Sequence, residues 1–186
     1  MLTLSRPLTT DFSALRPEVQ ALQKDLVRWR RQIHQRPELG FQEELTAQLI
    51  VDLLSQWDIQ HKRSVAQTGV VAIIEGQGKR LAGKGPVLAI RADMDGLPVQ
   101  ELNEVPYCSV HKGKMHACGH DGHVAIALGT AKYLQENRDR FAGTVKIIFQ
   151  PAEEGPGGAK PMNEAGALKN PNVAALVGLR LWNNLP

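Results

Sequence analysis

The chain has 186 residues, of which 42% are hydrophobic and 22% are charged, so it is long enough for one domain of ordinary size. A formal net charge of only +3 gives no electrostatic case for a nucleic-acid partner. The N-terminus lacks the apolar core of a signal peptide, no apolar run approaches the roughly 20 residues of a membrane span, and two cysteines do not make a disulfide scaffold. We therefore expect a soluble, cytoplasmic protein that binds neither nucleic acid nor membranes.

The N-terminal third of the sequence predicts an arm followed by two helices. Residues 1–16 are expected to be extended, and Pro17 suits the first turn of a helix. Apolar residues then recur every three or four positions, as on one face of a helix: Val19, Leu22, Leu26, Trp29 and Ile33. Basic residues of the same segment are interpreted as its solvated face: Lys24, Arg28, Arg30, Arg31 and Arg36. A second helix is predicted over about 42–57.

The rest of the chain alternates between strand and helix patterns. Short apolar runs at 70–74 and 87–90 predict two buried, neighbouring strands, separated by a Gly/Lys turn region over 76–86. Two more strands and two more helices follow: strands over 144–149 and 173–181, helices over about 120–137 and 159–167. Helices that alternate with buried strands indicate an α/β layered sheet.

Polar residues follow three of the predicted strands. Asp93 and Asp95 come after one strand, Glu153 and Glu154 after the next, and Arg180 lies near the end of the last. In open α/β sheets, ligands bind beyond the carboxyl ends of the strands. We therefore expect these side chains to meet at one edge of the sheet.

The densest polar motif is the segment 115–123, MHACGHDGH. Imidazole, thiolate and carboxylate are the groups that bind zinc-like divalent ions. Cys118 and His120 would point about 200° apart on a regular helix, so they can share one ion only if Gly119 forms an irregular turn before the helix. A thiolate ligand would also favour a reducing compartment. The alternative is a buried cysteine beside a helix-capping residue.

The two pairs of acidic residues each allow two interpretations. On an extended segment, Glu153 and Glu154 would point to opposite sides, so that one could bind a metal while the other acts as a general base; they could also be two solvated loop residues. Asp93 and Asp95 could orient a ligand histidine. Followed by Gly96, they also fit the Asp-x-Asp-Gly motif of phosphatases with an aspartyl nucleophile.

Four segments together resemble the M20 metallopeptidase family, in the amidohydrolase branch of hippurate hydrolases, N-acyl-amino-acid amidohydrolases and auxin-conjugate hydrolases. They are 91–98, 116–123, 149–155 and, with one exception, 178–186. The resemblance implies a three-layer α/β/α zinc-peptidase-like catalytic domain with a mainly parallel or mixed sheet. Residues 17–186 would be its N-terminal portion, truncated and lacking the lid and dimerisation domain.

The resemblance also implies roles for the site residues. Cys118 would bridge two divalent ions, which could be manganese, zinc, cobalt or nickel. His120 and Glu154 would be further metal ligands, and Glu153 would be the general base that deprotonates the attacking water. Asp93 and Asp95 would contact the metal ligands and orient them without binding the ions themselves. The implied reaction is hydrolysis of the amide bond of a small-molecule N-acyl amino acid.

Two departures from the family pattern lead us to expect weak activity or none. Arg180 stands where the family has a metal-binding histidine, and a guanidinium has no lone pair to offer. The chain also stops inside the fourth motif, which would leave a sheet edge uncovered and favour self-association. The alternatives are a non-catalytic remnant or metal-binding interaction module and, less favoured, an aspartyl-nucleophile phosphatase.

Overall fold

The computed structural model describes residues 15–78 and 85–181. Most of the arm predicted over 1–16 therefore lies outside the described residues. The same holds for the middle of the predicted turn region, 79–84, and for the end of the fourth motif, 182–186.

The N-terminal amphipathic pattern forms two helices instead of one. Helix α1 spans Pro17–Ala21 and α2 spans Gln23–His34, with Leu22 between them. The interruption is slight, because Leu22 keeps helical dihedral angles of φ −76° and ψ −14°. Helix α3 spans Glu44–Gln56, within the predicted range. The predicted apolar stripe faces inward at Trp29, which is 1% exposed.

Five strands form one mixed sheet in the order β1-β2-β4-β3-β5. Their bounds are Gln60–Val65 (β1), Gly69–Glu75 (β2), Val87–Asp93 (β3), Thr144–Gln150 (β4) and Ala175–Gly178 (β5). Strand β3 runs parallel to both β4 and β5, whereas the pairs β1–β2 and β2–β4 are antiparallel. The expectation that 70–74 and 87–90 are neighbouring strands is wrong, since β4 lies between β2 and β3.

Helices cover both faces of this sheet. Helix α4 spans His120–Glu136, a 3-10 turn follows at Arg138–Arg140, and α5 spans Ala159–Glu164. Helices α2, α3 and α4 pack with one face in the main apolar core. On the other face, Met162 of α5 and Ala167 pack against Ile148 of β4. The result is three layers with a thin second helical layer.

Strand β4 shows how alternation divides the two layers. Ile147 belongs to the main core, and the next residue, Ile148, faces the α5 side. Lys146, also on the α5 side, is 1% exposed. Its Nζ donates hydrogen bonds of 3.2 and 2.6 Å to the carbonyls of Ala167 and Lys169, so the buried ammonium anchors the segment after α5.

Strand β5 is shorter than the predicted 173–181 and forms one edge of the sheet. Its apolar side chains are unusually open to solvent, with Leu176 50% and Val177 58% exposed. Self-association through this edge stays a prediction. In the part of the chain that the structure describes, no helix is long and apolar enough to cross a membrane.

Candidate metal centre

The parallel pairing of β3 with β4 and β5 brings the predicted polar residues to one edge of the sheet. Asp93 ends β3 and pairs in register with Gln150, which ends β4. Glu153 and Glu154 follow three and four residues after Gln150, and Arg180 lies two residues beyond the end of β5. The convergence expected from the sequence is therefore found.

The irregular turn required between Cys118 and His120 is also present. Gly119 precedes α4 with φ +88°, in the left-handed region that glycine adopts without steric cost. A Cβ at this position would lie 2.9 Å from Leu181 Cδ1, so a larger residue would also collide with the segment after β5. The turn allows Cys118 and His120 to present their side chains to one point.

Three side chains form a cluster that could hold a divalent ion. One ligand atom each from Cys118, His120 and Glu154 lies within 4.8 Å of the other two. His120 is buried, Cys118 is partly buried and Glu154 is exposed, so the cluster opens to solvent on the glutamate side. These are the three ligands that the sequence predicted for this chain. Their proximity supports that role, which stays a prediction.

The surroundings of His120 favour a cation. Its Nδ1 lies 2.9 Å from the main-chain oxygen of Asp95 and 3.2 Å from the Asp95 carboxylate. Its Nε2 is buried, makes no hydrogen bond among the described residues, and faces carboxylate oxygens of Asp93, Glu154 and Glu153 at 3.5, 3.6 and 3.8 Å. Burial opposes protonation of His120, but the hydrogen bond with Asp95 and the charges of Asp93 and Asp95 outweigh it and raise its pKa. A proton or a metal ion at Nε2 relieves the repulsion between its lone pair and these oxygens.

Cys118 would be a thiol when no cation is bound. Burial and the hydrogen bond and charge of Glu154 raise its pKa to about 11, and the positive charge of Arg180 opposes the shift only in part. An ion at the cluster would stabilise the thiolate, because metal binding displaces the thiol proton.

The expected extended geometry of the two glutamates is wrong. Residues 153–156 form a turn, and Ala152 before them has φ +53°. Both carboxylates therefore approach the same His120 nitrogen, within 3.8 Å, instead of pointing to opposite sides. The residue types suggested two separate roles, but only the turn shows that both groups reach one point.

Asp95 and Asp93 both contact histidines of the motif, and their support of metal ligands stays a prediction. Asp95 contacts His120 through one oxygen and accepts a 2.9 Å hydrogen bond from the Glu154 amide through the other. Asp93 forms a 2.5 Å hydrogen bond with His123 Nδ1 and an ion pair of 2.7 Å with Arg91. Burial alone would raise the pKa of both aspartates, but these hydrogen bonds and charges lower it. Both therefore stay ionised and hold their neighbours in place.

His123 belongs to the sequence motif, but its ring nitrogens are already engaged. Nδ1 contacts Asp93, and Nε2 accepts a 3.0 Å hydrogen bond from the Leu181 amide. This pattern defines a neutral imidazole with its proton on Nδ1. His123 therefore links β3 to the segment after β5.

Sequence reasoning missed a buried ion-pair network beside the cluster. Arg30 and His34 of α2 contact Asp121 Oδ2 at 2.8 and 2.7 Å, and His34 Nε2 lies 3.1 Å from Glu101. The hydrogen bond with Asp121 raises the pKa of His34 despite burial, so both ring nitrogens donate. Arg30 is therefore not simply part of a solvated face. The usable signal was its position four residues before His34, on the same side of the helix.

The network borders a cavity of about 720 Å³ whose wall includes Cys118, His116 and Arg180. This volume is in the range of small-molecule sites. His116 is 3% exposed, and neither ring nitrogen has a hydrogen-bond partner among the described residues. Burial lowers its pKa to about 4, so the imidazole is neutral at pH 7. Arg180 is 49% exposed, and its Nη1 lies 3.8 Å from Glu153.

These features define a three-layer α/β protein with a candidate divalent-cation site at the carboxyl edge of its sheet. The profile of peptidase family M20/M25/M40 matches residues 89–185, and the chain belongs to this family. The fold predicted from the M20 resemblance is confirmed.

Named relatives give the family context. The chain is 50% identical over 161 residues to the Arabidopsis thaliana protein IAA-amino acid hydrolase ILR1-like 2, with 87% of this chain and 35% of that protein aligned. It is 44% identical over 168 residues to the N-acyl-L-amino acid amidohydrolase of Geobacillus stearothermophilus, with 90% and 44% aligned. The solved structure of the Bacillus subtilis YXEP protein, described as a dinuclear metal binding peptidase from the M20 family, superposes with a TM-score of 0.82 at 43% identity, covering 90% of this chain and 45% of that chain. The chain thus spans less than half the length of each of these proteins.

Proposed function

We propose that the chain carries the metal-binding and water-activating residues of an M20 amidohydrolase that hydrolyses the amide bond of N-acyl amino acids. The observation that carries the proposal is the convergence of Cys118, His120 and Glu154 within 4.8 Å, beside Glu153. The names of the two sequence relatives support the substrate class, since both are hydrolases of amino acids joined to an acyl group.

Cys118, His120 and Glu154 would hold the divalent ion. The set of thiolate, imidazole and carboxylate suits zinc, manganese, cobalt or nickel. When bound, such an ion lowers the pKa of water and polarises a carbonyl group. The protein supplies a prearranged His120, whose Nδ1 is held by Asp95 and whose Nε2 is left without a partner among the described residues.

Glu153 would be the general base. Its side chain is 30% exposed, so it can reach both the cluster and an incoming substrate. The carboxylate takes a proton from the attacking water while the water oxygen bonds to the acyl carbon. It then gives the proton to the amino nitrogen as the C–N bond breaks.

The geometry favours this chemistry over phosphoryl transfer. Asp93 would have to act as the nucleophile of an aspartyl phosphatase, but it is 1% exposed and both carboxylate oxygens are engaged by His123 and Arg91. A metal-binding module without catalysis stays as the second candidate, because the same cluster would serve it.

We also propose that residues 17–186 form the N-terminal portion of the M20 catalytic domain, with residues 1–16 as an arm before it. The profile match over 89–185 supports the catalytic part. Cys108 and Cys118 are both free thiols, which supports the proposed cytoplasmic location.

The first test is metal binding. Glu154→Gln and Cys118→Ser should each abolish tight binding of manganese or zinc in isothermal titration calorimetry, because each removes one of three ligands. Cys108→Ser is the matched control, since Cys108 is a free thiol outside the cluster. Equal metal affinity in Cys118→Ser and Cys108→Ser would contradict the assignment of the cluster.

The second test is hydrolysis of N-acetyl- and N-benzoyl-amino acids by the metal-loaded chain. Glu153→Gln should keep the ion and lower kcat by about 10²–10⁴-fold, the usual contribution of a general base. Ion binding without turnover, in wild type and variant alike, would favour the non-catalytic module.

A further inference from the structure

The guanidinium of Arg180 occupies the open side of the candidate site. Its Nη1 lies 3.8 Å from Glu153 Oε1, and the side chain lines the same cavity as Cys118. Guanidinium stays protonated at any physiological pH, so a fixed positive charge lies beside the proposed general base.

The backbone next to Arg180 is anchored. The Leu181 amide donates a 3.0 Å hydrogen bond to His123 Nε2. The Leu181 side chain also lies over two glycines at the start of α4, where an added Cβ at Gly119 or Gly122 would come within 2.9 or 2.8 Å of it. Arg180 is therefore attached to a defined position and is not carried by a free loop.

Within the described ranges, only one group of ligand atoms is free to take a cation. Besides Cys118, His120 and Glu154, the other suitable group is Asp93, His120 and His123. There, His123 uses both nitrogens, for the Asp93 carboxylate and the Leu181 amide, and Asp93 is also paired with Arg91. Glu153 belongs to neither group, and its Oε1 lies 3.8 Å from the Arg180 guanidinium.

We propose that this chain binds one divalent ion, and that the guanidinium of Arg180 takes the position of a second cation beside Glu153. The inference rests on the proposed function for the first ion. A single bound ion would distinguish this chain from the YXEP protein, which is described as a dinuclear metal binding peptidase. Repulsion between the guanidinium and a second divalent ion, together with the lack of a second group of free ligand atoms among the described residues, would account for this difference. Arg180 would act as a positioning residue that holds the Glu153 carboxylate oriented toward the cluster.

The test counts ions per chain. Wild type, Arg180→Lys and Arg180→His are freed of metal with a chelator, dialysed to equilibrium against manganese, and measured by plasma mass spectrometry. The electron paramagnetic resonance spectrum detects spin coupling between two adjacent manganese ions. Circular dichroism checks that each variant is folded.

We expect one ion and an uncoupled spectrum in wild type and in Arg180→Lys, which keeps the charge. We expect two ions with a coupled spectrum in Arg180→His, which exchanges the charge for a neutral ligand. Two ions in wild type would overturn the inference and leave the proposed function intact. One ion in a folded Arg180→His would overturn the role of Arg180. No ion in wild type would overturn both this inference and the proposed function.

Discussion

Glu101 joins the loop after β3 to helix α2 through a buried charge pair, and replacing it with glutamine tests the physical basis of the network. The Glu101 side chain is 1% exposed and faces His34 at 3.1 Å. Its carboxylate also accepts hydrogen bonds of 2.9 Å from Asn103 and 2.6 Å from the Ser109 amide. Asp121 and Arg30 lie on the far side of His34, so the network is balanced in charge.

The expected magnitude follows from the pKa of this carboxyl group. Burial alone would raise the pKa of Glu101, but the hydrogen bonds from Asn103, Ser109 and His34 outweigh it and lower the pKa from 4.5 to about 2. Each pKa unit corresponds to about 1.4 kcal/mol, so the ionised form contributes about 3 kcal/mol to the unfolding free energy. Solvent screening at the adjacent cavity reduces this contribution to the unfolding free energy, and glutamine keeps one acceptor oxygen. We therefore expect Glu101→Gln to lose about 2 kcal/mol at pH 7.

The pH dependence has a definite sign. Because the pKa is depressed in the folded state, the stabilisation is fully present above pH 4.5 and is lost as the pH falls toward 2. The difference between wild type and Glu101→Gln should therefore shrink from about 2 to about 1 kcal/mol between pH 7 and pH 3, because a carboxyl with a folded pKa of about 2 is still mostly ionised at pH 3. Urea unfolding followed by tryptophan fluorescence measures this difference in unfolding free energy. Trp29 and Trp57 report on unfolding because they pack with ring centroids 5.4 Å apart.

Glu104→Gln is the matched control, because Glu104 lies on the same loop with an exposed side chain. It should change the unfolding free energy by no more than about 0.5 kcal/mol at either pH. A Glu101→Gln protein as stable as wild type at pH 7, or a loss that stays constant down to pH 3, would refute the reasoning.

Two further predictions concern the supports of the site. Gly158→Ala should destabilise the protein and weaken metal binding, because its Cβ would lie 1.9 Å from the Pro151 carbonyl oxygen and push the glutamate turn out of place. Gly155→Ala, with nothing within 4 Å, should leave both properties unchanged in urea unfolding and calorimetry. Lys146→Met should lower the unfolding free energy by about 1–3 kcal/mol, since the buried Ala167 carbonyl and the partly buried Lys169 carbonyl lose their donor. Lys160→Met is the control and should not lower the unfolding free energy, because the Lys160 side chain is 85% exposed. Equal effects of the two methionine substitutions would contradict the assigned role of Lys146.

Local patterns sufficed for the features of the site that depend on neighbouring residues. The polar residues after β3 and β4 could be assigned to one edge because parallel strands end together, and the Gly119 turn followed from the need to unite Cys118 with His120. The convergence of both glutamates was not predictable, because it depends on a turn that an Ala152 with positive φ introduces.

Features that depend on residues far apart along the chain could not be predicted from the sequence. Strand β1, with the sequence QHKRSV, buries only Val65, so no apolar pattern marks it. The insertion of β4 between β2 and β3 has no local signal, since strand order is decided by long-range packing. Arg30 has the sequence context of a surface residue, yet its partner Asp121 is 91 residues away.

Asp95 has a consequence for the discrimination between ions. One of its oxygens contacts the His120 ring, and the other accepts the Glu154 amide, so a single carboxylate connects two elements that are far apart along the chain. The position of the His120 imidazole relative to the main chain of Glu154 is thereby set before any ion binds. A metal site whose ligand positions are held in this way selects ions by radius as well as by chemical softness. Larger cations such as calcium should therefore be disfavoured even at high concentration.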